Sequence, residues 1–317
     1  MKARFWGVRG SLPTPIGLHS LEDKLVQALQ GASRVPLDDP AQVRSYVASL
    51  PLHLRGTFGG HTSCVQVTSA RDSLILDAGS GLFRLGEWWA RQDERERPRA
   101  HHIFLSHLHW DHTIGLPHYA PLFRADNRLV VYGAHPDFEG QLLAQHAPPN
   151  FPLPLSAFPA SVSFQHMVPG VPVEVGCLRV TCMELPHPGR SFAFRVEDGQ
   201  SALVYATDAE YRDLSPETTR DYVAFFQGAG VLIMDAQYDS QESLEKKRDW
   251  GHSSPLAGAA LCIAAGVSRL ILFHHDPSSS DEAIAAMEVQ VQEYLDREPS
   301  PLRCRATAAY EDLEIDL

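Results

Sequence analysis

The chain has 317 residues, 44% of them hydrophobic, which is enough to build the core of one large α/β domain. Its formal net charge of −12 argues against non-specific binding to a nucleic-acid polymer, although a small anion held by bound cations stays open. It has no run of about eighteen apolar residues to span a membrane, and its N-terminus lacks the apolar stretch of a secretory signal.

The five cysteines, Cys64, Cys177, Cys182, Cys262 and Cys304, are odd in number and form no C-x-x-C pair. Most read as small buried hydrophobes of a reduced protein, so a cytoplasmic location is expected.

Residues 3–8 form a first strand. Residues 9–15 are a Gly- and Pro-rich turn, which can bring Arg9 and backbone N–H groups to an anion or can serve as a turn alone. Residues 17–57 read as a helical insertion. One helix gathers Leu21, Leu25, Val26 and Leu29 on a face, a second gathers Val43, Tyr46, Val47 and Leu50, and Pro36 and Pro40 separate them. Such an insertion is a flap on the core, a lid, or a homodimer contact. Residues 64–67 and 73–77 make a hairpin whose second strand ends on Asp77. A carboxylate there can accept a proton from the far nitrogen of a metal-bound histidine. A helix over 82–92 follows.

The stretch that organises the chain comes next. The apolar run 102–105 ends in Ser106-His107-Leu108-His109-Trp110-Asp111-His112. On extended chain His107 and His109 point the same way, while Asp111 and His112 fall where the chain must turn and can face a second point. Imidazole nitrogen with carboxylate oxygen suits zinc, manganese or iron. A Pro-rich region over 117–172 holds a strand at 129–132, a short helix at 138–146 and an irregular crossing at 148–154. Strands 171–175 and 178–184 lead to His187, held between two prolines. The hairpin 192–196 and 202–206 exits at Asp208. Strands 230–235 and 269–273 flank a helix over 255–265 with Gly266 as its cap. The second of them ends at His274-His275. A last helix spans 281–294, and 304–316 should return as one edge strand. Buried strands thus deliver polar residues to one edge, as two sheets packed face to face with helices outside would do.

At this point the sequence resembles the metallo-β-lactamase superfamily. The H-x-H-x-D-H motif stands as His107-Leu108-His109-Trp110-Asp111-His112, and the order of strand-end Asp, motif, lone His, lone Asp and final His runs through nearly the whole chain. The likeness is to the phosphodiesterase branch, with ribonuclease Z, the phosphonate-pathway cyclic phosphodiesterase and cyclic-nucleotide phosphodiesterases. Phe5-Trp6-Gly7-Val8-Arg9-Gly10-Ser11 and Gly59-Gly60-His61-Thr62-Ser63-Cys64 resemble a bacterial subgroup of it, in which Asn is expected where this chain has His61.

The resemblance implies a single-domain αββα sandwich over 1–317, with two facing mixed sheets, outer helices and the 17–57 insertion. It implies two divalent cations, zinc first, with manganese or iron as alternatives. His107, His109 and His187 would hold one, Asp111, His112 and His274 the other, and Asp208 would bridge them; His275 competes with His274. Two cations about 3.5–4 Å apart can deprotonate a shared water and neutralise phosphate oxygens. Trp250-Gly251-His252-Ser253-Ser254 resembles the segment carrying a catalytic His in ribonuclease Z, so His252 would be the general acid. With Asp111 it completes the catalytic assignment. The expected substrate is a small phosphodiester, in particular a cyclic nucleotide. The alternatives are tRNA 3′ processing, thioester or lactam hydrolysis, and a non-catalytic binder of the same fold.

Overall fold

The computed structural model describes residues 1–238, 247–298 and 303–317. Its strands form two seven-stranded sheets. The first holds, in spatial order, β14 (Glu314–Asp316), β1 (Lys2–Gly7), β2 (Cys64–Ser69), β3 (Asp72–Leu76), β4 (Ala100–Leu105), β5 (Arg128–Gly133) and β6 (Ser161–His166). The second holds β13 (Arg305–Ala308), β12 (Arg269–Phe273), β11 (Val231–Asp235), β10 (Ala202–Ala206), β9 (Ser191–Glu197), β8 (Leu178–Leu185) and β7 (Val173–Val175). Each sheet is mixed: antiparallel through β14-β1-β2-β3 and β7-β8-β9-β10, parallel through β3-β4-β5-β6 and β10-β11-β12-β13.

The period-2 alternation of strand side chains explains the layers. Along β10, Leu203 and Tyr205 enter the core between the sheets, where Phe5, Phe104, Phe194 and Phe273 also lie. Val204 and Ala206 face the other way, into a cluster with Phe226 of α7 (Pro216–Phe226), Leu261 of α8 (Pro255–Ala265) and Met287 of α9 (Asp281–Arg297). On the first sheet Ile103 and Leu105 pack outward with Leu82 of α4 (Gly81–Arg91) and Leu142 of α6 (Phe138–Gln145). Strands covered on both faces need near-continuous apolar sequence, which is why β4, β10, β11 and β12 read as runs rather than alternations. The result is the αββα sandwich.

One expectation needs correction here, and two elements had none. The C-terminal stretch forms two edge strands, not one: β13 closes the second sheet and β14 the first, with residues 309–313 crossing between them. The strand β6 and the helix α7 went unread, because β6 sits in a Pro-rich region and α7 carries only a thin apolar face, Thr219 and Phe226 being its buried residues.

In the insertion, α1 (Leu18–Gly31) turns its shared apolar face to solvent: Leu25 is 55% and Leu29 64% exposed. The buried residue of this helix is Lys24, whose ammonium pairs with Asp281 at the start of α9 and donates to the Gly56 carbonyl at 2.7 Å. The helix is thus docked by charge. Within α2 (Pro40–Ser49) and at its end, Val43, Tyr46 and Leu50 are half-buried, and the Tyr46 hydroxyl donates to the Ala28 carbonyl at 2.5 Å. A short α3 (Leu52–Arg55) leads back to the sheet.

The site end of the sandwich is closed by residues 8–10. The Gly10 N–H donates to the His275 carbonyl at 2.9 Å, and the His275 N–H to the Val8 carbonyl at 3.0 Å, tying one sheet to the other. Arg9 is buried there and donates to the Gly59, Asp276 and Ser279 carbonyls. Of the two readings of this turn, Arg9 fits the structural one, because its guanidinium is committed to these carbonyls and lies 3.7 Å from Asp281 Oδ1.

Candidate metal centre

In parallel sheets, sites form where the carboxyl ends of strands meet the connecting loops. Here β3 delivers Asp77, β4 the stretch from Ser106 to His109, β10 delivers Asp208, β11 Asp235 and β12 His274. The short α5 (Trp110–Thr113) carries Asp111 and His112. His187 follows β8 in the turn toward β9. Asp77, Asp208 and His274 adopt positive φ of 62°, 49° and 59°. For a non-glycine residue that costs roughly 1–3 kcal/mol. It also turns the side chain off the strand line into the cleft. Gly10 leaves the room needed, since a Cβ there would lie 2.3 Å from His274 Nδ1.

Two clusters gather at Asp208, each with one ligand atom per residue and these atoms within 4.8 Å of one another: His107, His109, His187 and Asp208, and Asp111, His112, Asp208 and His274; a third, Asp235, His252 and His274, shares His274 with the second. Asp208 belongs to the first two. Its Oδ2 lies 3.6 Å from His107 Nε2 and 4.0 Å from His187 Nε2, while its Oδ1 lies 3.3 Å from the Nε2 of both His112 and His274. In the first cluster His187 Nε2 is 3.2 Å from His109 Nδ1. In the second, Asp111 Oδ2 is 3.2 Å from His112 Nε2 and 3.1 Å from His274 Nε2.

The far nitrogens are held from behind. Asp77 Oδ2 meets His112 Nδ1 at 2.7 Å, Gln237 Oε1 meets His274 Nδ1 at 2.9 Å, and the Gly251 carbonyl accepts from His187 Nδ1 at 2.8 Å. Protons fixed on Nδ1 leave the Nε2 lone pairs free for a cation. Asp77 is itself held by the Ser106 N–H and hydroxyl and by the Tyr205 hydroxyl.

The electrostatics fit a metal. Burial, reinforced by His112, holds His107 well below the ordinary imidazole value, and burial also lowers His109 and His187. These three are neutral donors, whereas His112, although burial lowers it, is pushed well above the ordinary value by Asp111, Asp208 and Asp77. Burial works against charge on Asp111 and Asp208, but the histidines around them outweigh it and keep both ionised. His107 Nε2 is buried without a hydrogen-bond partner, as expected of an atom whose partner is a cation.

His252 lies beside both clusters. Its ring stacks on His274 with centroids 5.0 Å apart and meets His187 edge-on at 5.4 Å. Its Nδ1 is 2.6 Å from Asp235 Oδ2. Burial lowers its pKa, but Asp235 more than reverses this and raises it to about 9. His275, the competing final ligand, points away: its Nε2 donates to the Ala309 carbonyl at 2.9 Å, and burial drops its pKa to about 3. His61 is outside the clusters, with Nδ1 3.0 Å from Glu311 Oε1. Asp235 and Gln237 were missed in the sequence. Asp235 carried the same signal as Asp77, an acid ending an apolar strand, whereas Gln237 carried none.

Residues 73–275 match a family model described as a β-lactamase superfamily domain. The chain is similar to the probable metallo-hydrolase YhfI of Bacillus subtilis (strain 168), 24% identical over 233 residues, or 69% of this chain and 84% of that protein. The crystal structure of YhfI superposes with a TM-score of 0.64 over 99% of this chain and 98% of the other, at 17% identity. A ribonuclease Z of Bradyrhizobium sp. (strain ORS 278) is 24% identical over 292 residues, covering 75% of this chain and 90% of the relative. A diphosphatase described as from the PhnP family gives a TM-score of 0.60 at 15% identity, covering all of this chain and 97% of the other.

Proposed function

The chain belongs to the β-lactamase superfamily and is a metal-dependent hydrolase, and from that premise we propose that the bond it cleaves is a phosphodiester in a small, nucleotide-type substrate such as a cyclic nucleotide. The observation that carries the reading is the junction of two ligand clusters at Asp208, whose two oxygens face different clusters. In this reading His107, His109 and His187 hold one divalent cation, Asp111, His112 and His274 the other, and Asp208 joins them. Zinc is the first choice, with manganese or iron next, because the donors are imidazole and carboxylate without thiolate. Such a pair supplies a water of lowered pKa and neutralises phosphate oxygens.

The chain's own residues do the rest. Asp77, Gln237 and the Gly251 carbonyl keep His112, His274 and His187 in the tautomer that presents Nε2. Asp235 holds the Nδ1 proton of His252, so its Nε2 proton is the one passed to the departing alkoxide. A ribose alkoxide needs that proton, which favours a phosphodiester over an activated lactam. The unpaired cysteines are consistent with a cytoplasmic enzyme.

Ribonuclease Z activity is the second reading, favoured by the likeness to a protein of that name and opposed by the net charge of −12. The test is a panel of bis-p-nitrophenyl phosphate, cyclic AMP, cyclic GMP, a tRNA precursor and nitrocefin, run on protein of measured metal content. Cleavage of the small phosphodiesters alone is expected. Cleavage of nitrocefin or of the tRNA precursor in their place would overturn the proposal.

A further inference from the structure

We propose that the aromatic cleft beside the metal centre binds the heteroaromatic base of the substrate, with Trp110 as its stacking platform and Asn150 reading its edge; this rests on the phosphodiesterase reading above. Trp110 lies in the chain between His109 and Asp111, residues of different clusters. Its side chain is 75% exposed, the most exposed large apolar side chain among the described residues. Trp6, by contrast, is 2% exposed. Leaving an indole in water next to a buried polar centre forgoes burial that a planar ligand would restore.

The cleft is built on the same helical turn. Trp110 and Ile114 are four residues apart, so they share a face that continues to His118. The other wall comes from Gln145, Asn150 and Phe151. The Phe151 and His118 rings meet nearly perpendicular, with centroids 5.7 Å apart. The cleft volume is about 410 Å³, in the range of small-ligand sites.

Gln145 ties the cleft to the centre. Its amide donates to the Leu108 carbonyl at 2.6 Å, between the two histidines of the motif, and accepts from the Thr113 hydroxyl at 3.1 Å. Both ends of Gln145 are therefore used. Asn150 differs: its Nδ2 donates to the Ala144 carbonyl at 3.0 Å, and among the described residues no donor reaches its Oδ1. An amide oxygen at the rim of an aromatic cleft accepts from an exocyclic amine such as that of adenine. Trp110 is one residue from ligands of both clusters, and Gln145 and Thr113 of the cleft bond the Leu108 and His109 carbonyls, so the cleft adjoins the backbone of the ligand motif.

The test compares cyclic AMP with its analogue lacking the base, on wild type, Trp110→Ala, Trp110→Phe and Asn150→Ala, each with metal content measured. Trp110→Ala should raise KM for cyclic AMP roughly 5- to 100-fold, as loss of a base stack does. Trp110→Phe should recover part of the loss. The abasic analogue should be cleaved with unchanged kcat/KM by all of them. Asn150→Ala should narrow the preference for cyclic AMP over cyclic IMP, which lacks the amine. Quenching of indole emission by cyclic AMP should be present in wild type and lost in Trp110→Phe. Equal changes for cyclic AMP and the abasic analogue, or a wild type indifferent to the base, would overturn the cleft assignment and leave the phosphodiesterase reading standing. If metal-loaded wild type cleaves neither of them nor bis-p-nitrophenyl phosphate, the phosphodiesterase reading fails and takes the cleft assignment with it.

Discussion

The two halves of the metal centre are built from similar residues and sit in different surroundings. Asp111, His112 and His274 are buried, face two carboxylate oxygens (Asp111 Oδ2 and Asp208 Oδ1), and are backed by Asp77 and Gln237. His107 and His187 face the single oxygen Asp208 Oδ2, His109 completes their cluster, and the Gly251 carbonyl, a neutral group, stands behind His187. His109 is also exposed. More negative charge and less water favour a tightly held, slowly exchanging cation in the first half. The half around His109 is the one open to solvent. Two similar ligand sets can thus divide the work, one anchoring and one exchanging.

The change that should break the comparison altogether is Asp208→Ala, since it removes the carboxylate common to both halves. Both metals and all measurable activity are expected to go, and elemental analysis of the purified variant checks it. A variant retaining two metals would mean Asp208 bridges nothing.

Next in size is His252→Ala, which touches neither half as a ligand. It should keep both metals and lose roughly 10²–10⁴-fold on cyclic AMP, the usual range for a general acid. The loss on bis-p-nitrophenyl phosphate should be much smaller, because p-nitrophenolate leaves without a proton. Equal losses on both substrates would assign His252 to positioning, and loss of a metal would make it a ligand. Asp235→Asn should act through the same ring. His252 is active when protonated, so activity falls as pH rises through its pKa. Removing the Asp235 charge, the main influence raising that pKa, moves the alkaline limb of the kcat profile to lower pH.

Asp77→Asn sharpens the comparison, because it weakens the partner behind one half only. A roughly 10–100-fold loss of affinity is expected for one cation, with the other unaffected. Competition with a chromogenic chelator reads both. The smallest effect on the centre should come from Lys24→Met in the insertion. Breaking its buried pair with Asp281 should cost about 3 kcal/mol of stability in denaturant unfolding. Metal content and kcat should not change; a fall in either would couple the insertion to the centre.

The site was more legible in the sequence than the surfaces around it. Strands buried on both faces are written as apolar runs, and a polar residue ending such a run has few reasons to be there. Asp77, His107, Asp208 and His274 were all found by that signal, and Asp235, which bears it too, could have been. Which way a docked helix turns is not written so plainly. The spacing of Leu21, Leu25, Val26 and Leu29 suggests a buried face, yet one ion pair at Lys24 sets the orientation instead. Gln237 was unreadable for another reason: it acts through a single contact with His274, made only once the loop after β11 is folded. The division of 304–316 into two strands was hidden because their partners, β12 and β1, lie in different sheets far apart in the chain.

The most direct test is the metal stoichiometry of His109→Ala beside that of wild type, measured by elemental analysis after matched chelator treatment. Wild type should hold two divalent cations per chain and release them in two separate steps. His109→Ala should hold one, the slower of the two to leave. A wild type with fewer than two cations, or a His109→Ala variant that loses both together, would contradict a centre made of two unequal halves joined at Asp208.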